Sequence, residues 1–351
     1  MNKKAFAILG VVVVVIVVSV IFSQFNNEKT SLVPIRIGWQ VAWMPQAQIT
    51  EILKNTNILE KNNLIPTFQK FTAGPPLTEA ALAGSLDVIF VGYVPALSLT
   101  SKSDNWKIVS RLSDTRAAII VPKDSEVKTI SDLKGKIFAV PFATLPHILG
   151  IKGLTDAGLD PSKEVTVKNI DAVEGANVIQ KGTAKSWDSM DAFGTWDPNL
   201  FKFEDSGKAR IISLFPLNGV VVMSKDFYTN HPKEASNFLK SIIQSYDYYI
   251  KNKEQVDNWY LTDTGMTYSP AVIAKTISAE RNMVSEKITD IHLILNSNDL
   301  ADIQKQADQG FAMDVLKKKI ITSDVIDQSF VEKAESEILS GKYTKTIVPN
   351  K

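Results

Sequence analysis

The chain has no cysteine. That single absence excludes disulfides, thiolate metal centres and cysteine nucleophiles together. Histidine is scarce too: only His147, His231 and His292 occur, and none has a neighbour at metal-ligand spacing. The phosphate-cradling GxxxxGK[ST], the nucleophile elbow GxSxG and the zinc motif HExxH are all missing. Charge of one sign is missing as well. The 39 basic residues stand against 38 acidic ones, a net charge of +1, so no basic field points to nucleic acid. No metal, no cofactor and no catalytic residue is expected.

What remains is apolar and well organised. Hydrophobic residues make up 44% of 351, enough for two lobes with cores of their own. Asn2-Lys3-Lys4 precedes Ala5 to Phe22, a run of eighteen uncharged residues at the short edge of a membrane-spanning length. Ile21-Phe22-Ser23 makes a poor signal-peptidase site, so residues 1–23 are expected to stay as an anchor or uncleaved signal. Lys3 and Lys4 would lie inside and the rest outside, in a single-pass arrangement at the cell membrane. A long cleaved signal peptide is the alternative. Residues 24–32, QFNNEKTSL, form a polar tether.

The stretch Phe71 to Leu97 organises the rest. Gly74 precedes Pro75 and Pro76, which suit a first helical turn because their missing N–H groups are not needed there. Leu77, Ala80, Ala81 and Gly84 then form one helical stripe. Leu86 to Val91 is a continuous apolar run, the mark of a strand buried on both faces in a parallel sheet. Gly92-Tyr93-Val94-Pro95 opens another helix, and free N–H groups at such starts make an anion seat.

Strands are expected at Ile35–Gln40, Thr67–Phe71, Lys107–Leu112 and Ala117–Val121, with a helix over about 46–55. Ile137–Val140, Glu164–Ile170, Met190–Thr195, Arg210–Leu214 and Val220–Met223 are strand-like in turn. Thr144 can cap a helix carrying Pro146 and His147, and Asp171 one that ends at Gly182. Such alternation implies parallel sheets in an α/β protein. Residues 33–120 are assigned to lobe 1, 121–218 to lobe 2, 219–345 to a return to lobe 1 with C-terminal helices, and 346–351 to a tail. Phe238, Ile242, Ile243, Tyr246 and Ile250 form a core-facing helical stripe. Ser323 is expected to cap a helix over Asp324–Leu339.

Several segments, in order, resemble one family. IRIGWQ (35–40), FTAGPPLTEAALAGSLDV (71–88), VGYVPAL (91–97), SDLKGKIFAVPFATLPH (131–147), AFGTWDPNL (192–200) and SKDFYTNHP (224–232) are similar to solute-binding proteins of ABC importers. The type is that of nitrate, alkanesulfonate and taurine transport, and PFATLPH looks most like the taurine branch. Ala42-Trp43-Met44 departs from the smaller loop usual there. The resemblance implies the two-lobed type II periplasmic-binding fold and a monomer that hands a small anionic or zwitterionic solute to a permease and its ATPase. It implies a cleft lined by Gln40, Trp43, Gly74, Pro75 and Tyr93 on one wall and Thr144 and His147 on the other, with Trp196 and Asp197 at the rim. Hydroxyls of Tyr93 and Thr144 would assist an oxyanion, and Asp197 could meet an amine. Two other readings remain: a binding protein for a pyrimidine thiamine precursor, and a pyrimidine-synthase-like enzyme, which the missing cysteines disfavour. Of Trp39 and Trp43, one is expected in the core.

Overall fold

A computed structural model describes residues 32–350. The expected anchor and nearly all of the tether lie outside the described residues. Among the described residues, no helix is long and apolar enough to cross a membrane.

Along the chain run β1 (Val33–Gln40), α1 (Met44–Asn55), β2 (Leu64–Phe71), α2 (Gly74–Leu82), β3 (Val88–Gly92) and α3 (Tyr93–Lys102). β4 (Trp106–Pro122), β5 (Ile137–Val140), α4 (Leu145–Asp156), β6 (Thr166–Asn169), α5 (Ala172–Lys181), β7 (Ala192–Trp196) and α6 (Asn199–Asp205) follow. β8 (Ala209–Ser224) leads to α7 (Pro232–Lys251), α8 (Lys253–Thr264), α9 (Pro270–Ile277), α10 (Ser297–Ala312) and α11 (Ser329–Leu339). Shorter helical turns lie between. One is Thr322–Val325; the longer C-terminal helix begins only at Ser329, so Ser323 does not cap it.

The sheet order is β2-β1-β3-β8-β4-β7-β5-β6. β1 pairs in parallel with β2 and β3, and β5 with β6 and β7. β8 is antiparallel to β3 and β4, and β4 is antiparallel to β7. The sheet is therefore mixed, which corrects the expected parallel sheets. The reason is that two long strands traverse both lobes. The strands expected at 107–112 and 117–121 are one, β4, and those at 210–214 and 220–223 are one, β8. β4 shifts register between Arg111 and Asp114, and by Ala117 it is paired with Trp196 of β7. Asp114 and Thr115, between them, have partners in β8. Thr115 Oγ1 donates to Leu217 O at 3.2 Å, and Asn218 Nδ2 donates to Asp114 Oδ1 at 2.8 Å.

Arg111 sits at that register shift, fully buried against the equally buried Glu280 at 2.5 Å and against Asp114 at 2.7 Å. Burial drives the Glu280 carboxyl above its ordinary range, opposed by the Arg111 charge. Lobe 1 packs Ile37, Trp39, Phe90, Phe238, Ile242 and Tyr246 in one core, so α7 faces inward as its stripe requires. Lobe 2 is centred on Ile120, Phe193, Leu200 and Phe201. Val272 joins that second core, and Tyr268 Oη donates to Asn199 Oδ1 at 3.0 Å. Part of the C-terminal region thus packs on lobe 2 as a strap.

Candidate ligand-binding cleft

Four helices begin around one cavity. Trp43 occupies the cap position of α1, Ala73 that of α2, Gly92 that of α3 and Thr144 that of α4. None of the four accepts an N–H with its side chain. The sequence explains this. Alanine and glycine carry no side-chain oxygen, tryptophan has only a donor, and the Thr144 hydroxyl donates instead to Pro141 O at 2.6 Å. Asp171 shows the contrast, since its Oδ1 accepts from Val173 N at 2.8 Å and closes the start of α5. Each helix start carries roughly half a positive charge. Gln40, Trp43, Gly74, Gly92, Thr144 and Trp196 line the cavity, together with apolar Val94, Pro95, Leu145, Pro146 and Leu217, so no charged side chain does. The positive potential in the cleft therefore comes from backbone.

Gly74 is needed for this convergence, because a Cβ there would stand 2.6 Å from the Pro95 ring of α3. Two bonds join the lobes across the cleft. Trp196 Nε1 donates to Ala42 O at 3.0 Å, and Thr72 Oγ1 donates to Asp171 Oδ2 at 2.6 Å. The cavity between the walls is about 20 Å³, room for about one water.

The structure brings Gln40, Trp43, Gly74, Thr144 and Trp196 into this lining. Gln40 Nε2 donates to Phe90 O at 3.2 Å, which turns its carboxamide oxygen free. Trp39 is the core tryptophan, with the Lys54 ammonium 5.3 Å from its ring centroid. Pro75 stands in the first turn of α2, outside the lining. Tyr93 also lies outside it: it packs with Leu77, Val91 and Leu97, and its hydroxyl has no partner among the described residues. Burial raises that hydroxyl above the tyrosine range, so it stays protonated. His147 stacks on Phe142 with centroids 4.5 Å apart, and its Nδ1 accepts from Ala143 N at 3.4 Å. Burial lowers its pKa, so the ring is neutral near pH 7.

Asp197 neither caps a helix nor lines the cleft. Pro198 holds the cap position of α6, and Asp197 Oδ2 accepts from Arg116 Nε at 3.0 Å. Its other oxygen is buried and has no partner among the described residues, and burial pushes the carboxyl up to about 7 against the pull of Arg116. An amine on a ligand therefore has no carboxylate in this lining. Gly92, Val94, Pro95, Leu145, Pro146 and Leu217 line the cavity although none is among the expected site residues. Gly92 and Pro95 had a legible signal, a helix start without a polar cap. Leu217 had none, because only the crossing of β8 brings it here.

Known proteins match this chain at three levels. A family model described as the periplasmic substrate-binding protein of phosphonate ABC transporters matches residues 67–180. A putative aliphatic sulfonates-binding protein of Bacillus subtilis is 25% identical over 325 residues, 90% of this chain and 92% of that one. The taurine-binding periplasmic protein of Escherichia coli is 26% identical over 229 residues, 61% of this chain and 67% of that one. The alkanesulfonate-binding protein SsuA of Xanthomonas axonopodis pv. citri, solved bound to MOPS, superposes with a TM-score of 0.67 at 20% identity, covering 84% of this chain and 98% of its own. That likeness shows the two-lobed α/β fold. The sequence relatives and the matching family model are substrate-binding proteins of ABC transporters, those for aliphatic sulfonates and taurine among them, and this chain is similar to them.

Proposed function

We propose that this protein captures a small sulfonate outside the cytoplasm and presents it to an ABC permease, with no chemistry of its own. The observation that carries this is the ring of four helix starts, each without a side-chain cap, around a cavity with no charged lining. Such a seat favours an anion whose charge needs no proton acceptor or counter-ion, and each N–H donor makes a charge-assisted bond. A sulfonate is ionised at every physiological pH and offers three acceptor oxygens to the converging starts. The relatives named for aliphatic sulfonates and taurine support this class. Fold alone does not decide between transport and catalysis; the cleft supplies no general acid, base or nucleophile from its lining. The helix starts at Gly74 and Thr144 would hold the head group, while Trp43 and Trp196 pack its tail and the free Gln40 carboxamide oxygen accepts from any N–H or O–H donor on the solute.

The uncharged run Ala5 to Phe22 would hold the binding domain at the outer face of the membrane. N-terminal sequencing of mature protein that began near residue 24 would refute that part. Thermal-shift measurements against ethanesulfonate, taurine, nitrate, a phosphonate and a pyrimidine test the main reading. A true ligand at a hundredfold excess over its Kd adds ~2.7 kcal/mol and raises Tm by a few degrees. No shift with any sulfonate would overturn the assignment, and mass spectrometry should recover the bound solute unchanged.

A further inference from the structure

The cleft is narrow at one particular place. Trp43 is 2% exposed and caps α1 from the loop after β1. Its six-membered ring lies against the backbone of β3 and of the lobe-crossing part of β8. A Cβ on Gly219 would approach that ring to 3.2 Å and Ser113 Oγ to 3.1 Å, and one on Gly92 would approach it to 3.5 Å. The ring is thus seated on two glycines and has no space behind it to retreat. On the opposite lobe, Trp196 is held by its bond to Ala42 O, the residue next to Trp43. The two indoles thus face the cavity from opposite lobes, and Val94, Pro95, Leu145, Pro146 and Leu217 complete its apolar lining.

We infer that Trp43 sets the length of tail this cleft accepts, restricting it to sulfonates with one or two carbons. This deepens the sulfonate reading and rests on it. The head group occupies the uncapped helix starts, which fixes one end of the solute. Extra methylenes then run into the Trp43 ring, because Gly92 and Gly219 back that ring closely and the whole empty cavity measures only about 20 Å³. Removing the indole would open a channel floored by Gly92 and Gly219 and sided by Val94 and Leu217, all in the present lining or beneath it.

The experiment is calorimetric titration of the protein with methane-, ethane-, propane-, butane- and hexanesulfonate, for the native chain, Trp43→Ala and Trp43→Leu. The native affinity should peak at one or two carbons and fall beyond three. In Trp43→Ala the affinity should instead climb with length, about fourfold per added methylene as each is buried. Trp43→Leu, which keeps apolar bulk and so protects folding, should shift the same way by less. Native affinity that keeps rising past three carbons would overturn the inference whatever the variants do. So would variants with the native length profile. Absence of binding by every sulfonate to the native chain would instead bring down the sulfonate reading itself.

Discussion

Replacing Thr72 by valine removes one hydroxyl and keeps the side chain's shape. Thr72 is half-buried in the loop between β2 and α2, away from both cores. Its hydroxyl donates at 2.6 Å to Asp171 Oδ2, on the opposite lobe. Asp171 Oδ1 keeps its cap on α5 in the variant, because it bonds Val173 N and not Thr72. The bond exists only while the lobes meet, so its loss acts on the closed state alone. A hydrogen bond to a charged group contributes about 1.5–3 kcal/mol net, and partial exposure argues for the lower end. At ~1.5 kcal/mol the closed-to-open ratio drops about tenfold. A solute that needs the closed cleft then loses affinity by up to that factor and no more. Calorimetry should show Kd about tenfold higher for a sulfonate that saturates the native protein. Stopped-flow measurements should place most of the change in the dissociation rate, since the bond must break before release. A Kd within twofold of native, in a variant with native Tm, would refute the latch.

The other expectations concern the frame. Glu280→Ala leaves Arg111 charged and buried without its main partner, and should lower unfolding free energy by about 3–5 kcal/mol in urea titrations. Gly175→Ala places a Cβ 2.3 Å from the Phe193 ring in lobe 2, and overpacking there should destabilise by about 1–3 kcal/mol. A native melting curve for that variant would contradict the packing. Burial raises the carboxyls of Asp197 and Glu51 to about 7 in the folded chain, against ordinary values in the unfolded one. Between about pH 4 and 7 the folded state holds protons that the unfolded state has released, so stability is greatest below that window. It declines as pH rises, by up to ~1.4 kcal/mol per pH unit for each group. Denaturant titrations at pH 4.5 and 7 should show a shallower decline in Asp197→Asn; an unchanged slope would refute Asp197's share.

Local signals in the sequence were enough for the unit around Phe71 to Leu97. The helix begins at Gly74, β3 ends at Gly92, and the next helix starts at Tyr93, because glycine, proline and apolar spacing act within a turn or two. The same locality explains the failures. Ser113-Asp114-Thr115-Arg116 reads as a break because it is polar, yet it is the middle of one strand. Asp114, Thr115 and Arg116 find partners in Glu280, Leu217, Asn218 and Asp197, residues about eighty to one hundred and seventy positions away. The antiparallel return of β8 likewise depends on chain order and not on periodicity. Tyr93 was legible as the start of a helix, but its direction into the lobe 1 core depends on Leu77 and Leu97 packing beside it. The resemblance put Asp197 at the rim as a partner for an amine, and only the fold brings Arg116 of β4 to it.

On this reading, four helix starts seat a sulfonate between the lobes. A crystal structure of the protein grown with ethanesulfonate tests it most directly. One sulfonate group should lie between the Gly74 and Thr144 helix starts, its oxygens within hydrogen-bond distance of their N–H groups and its carbons against Trp43 and Trp196. A sulfonate bound only outside this cleft, or oriented with its head group away from the helix starts, would contradict it.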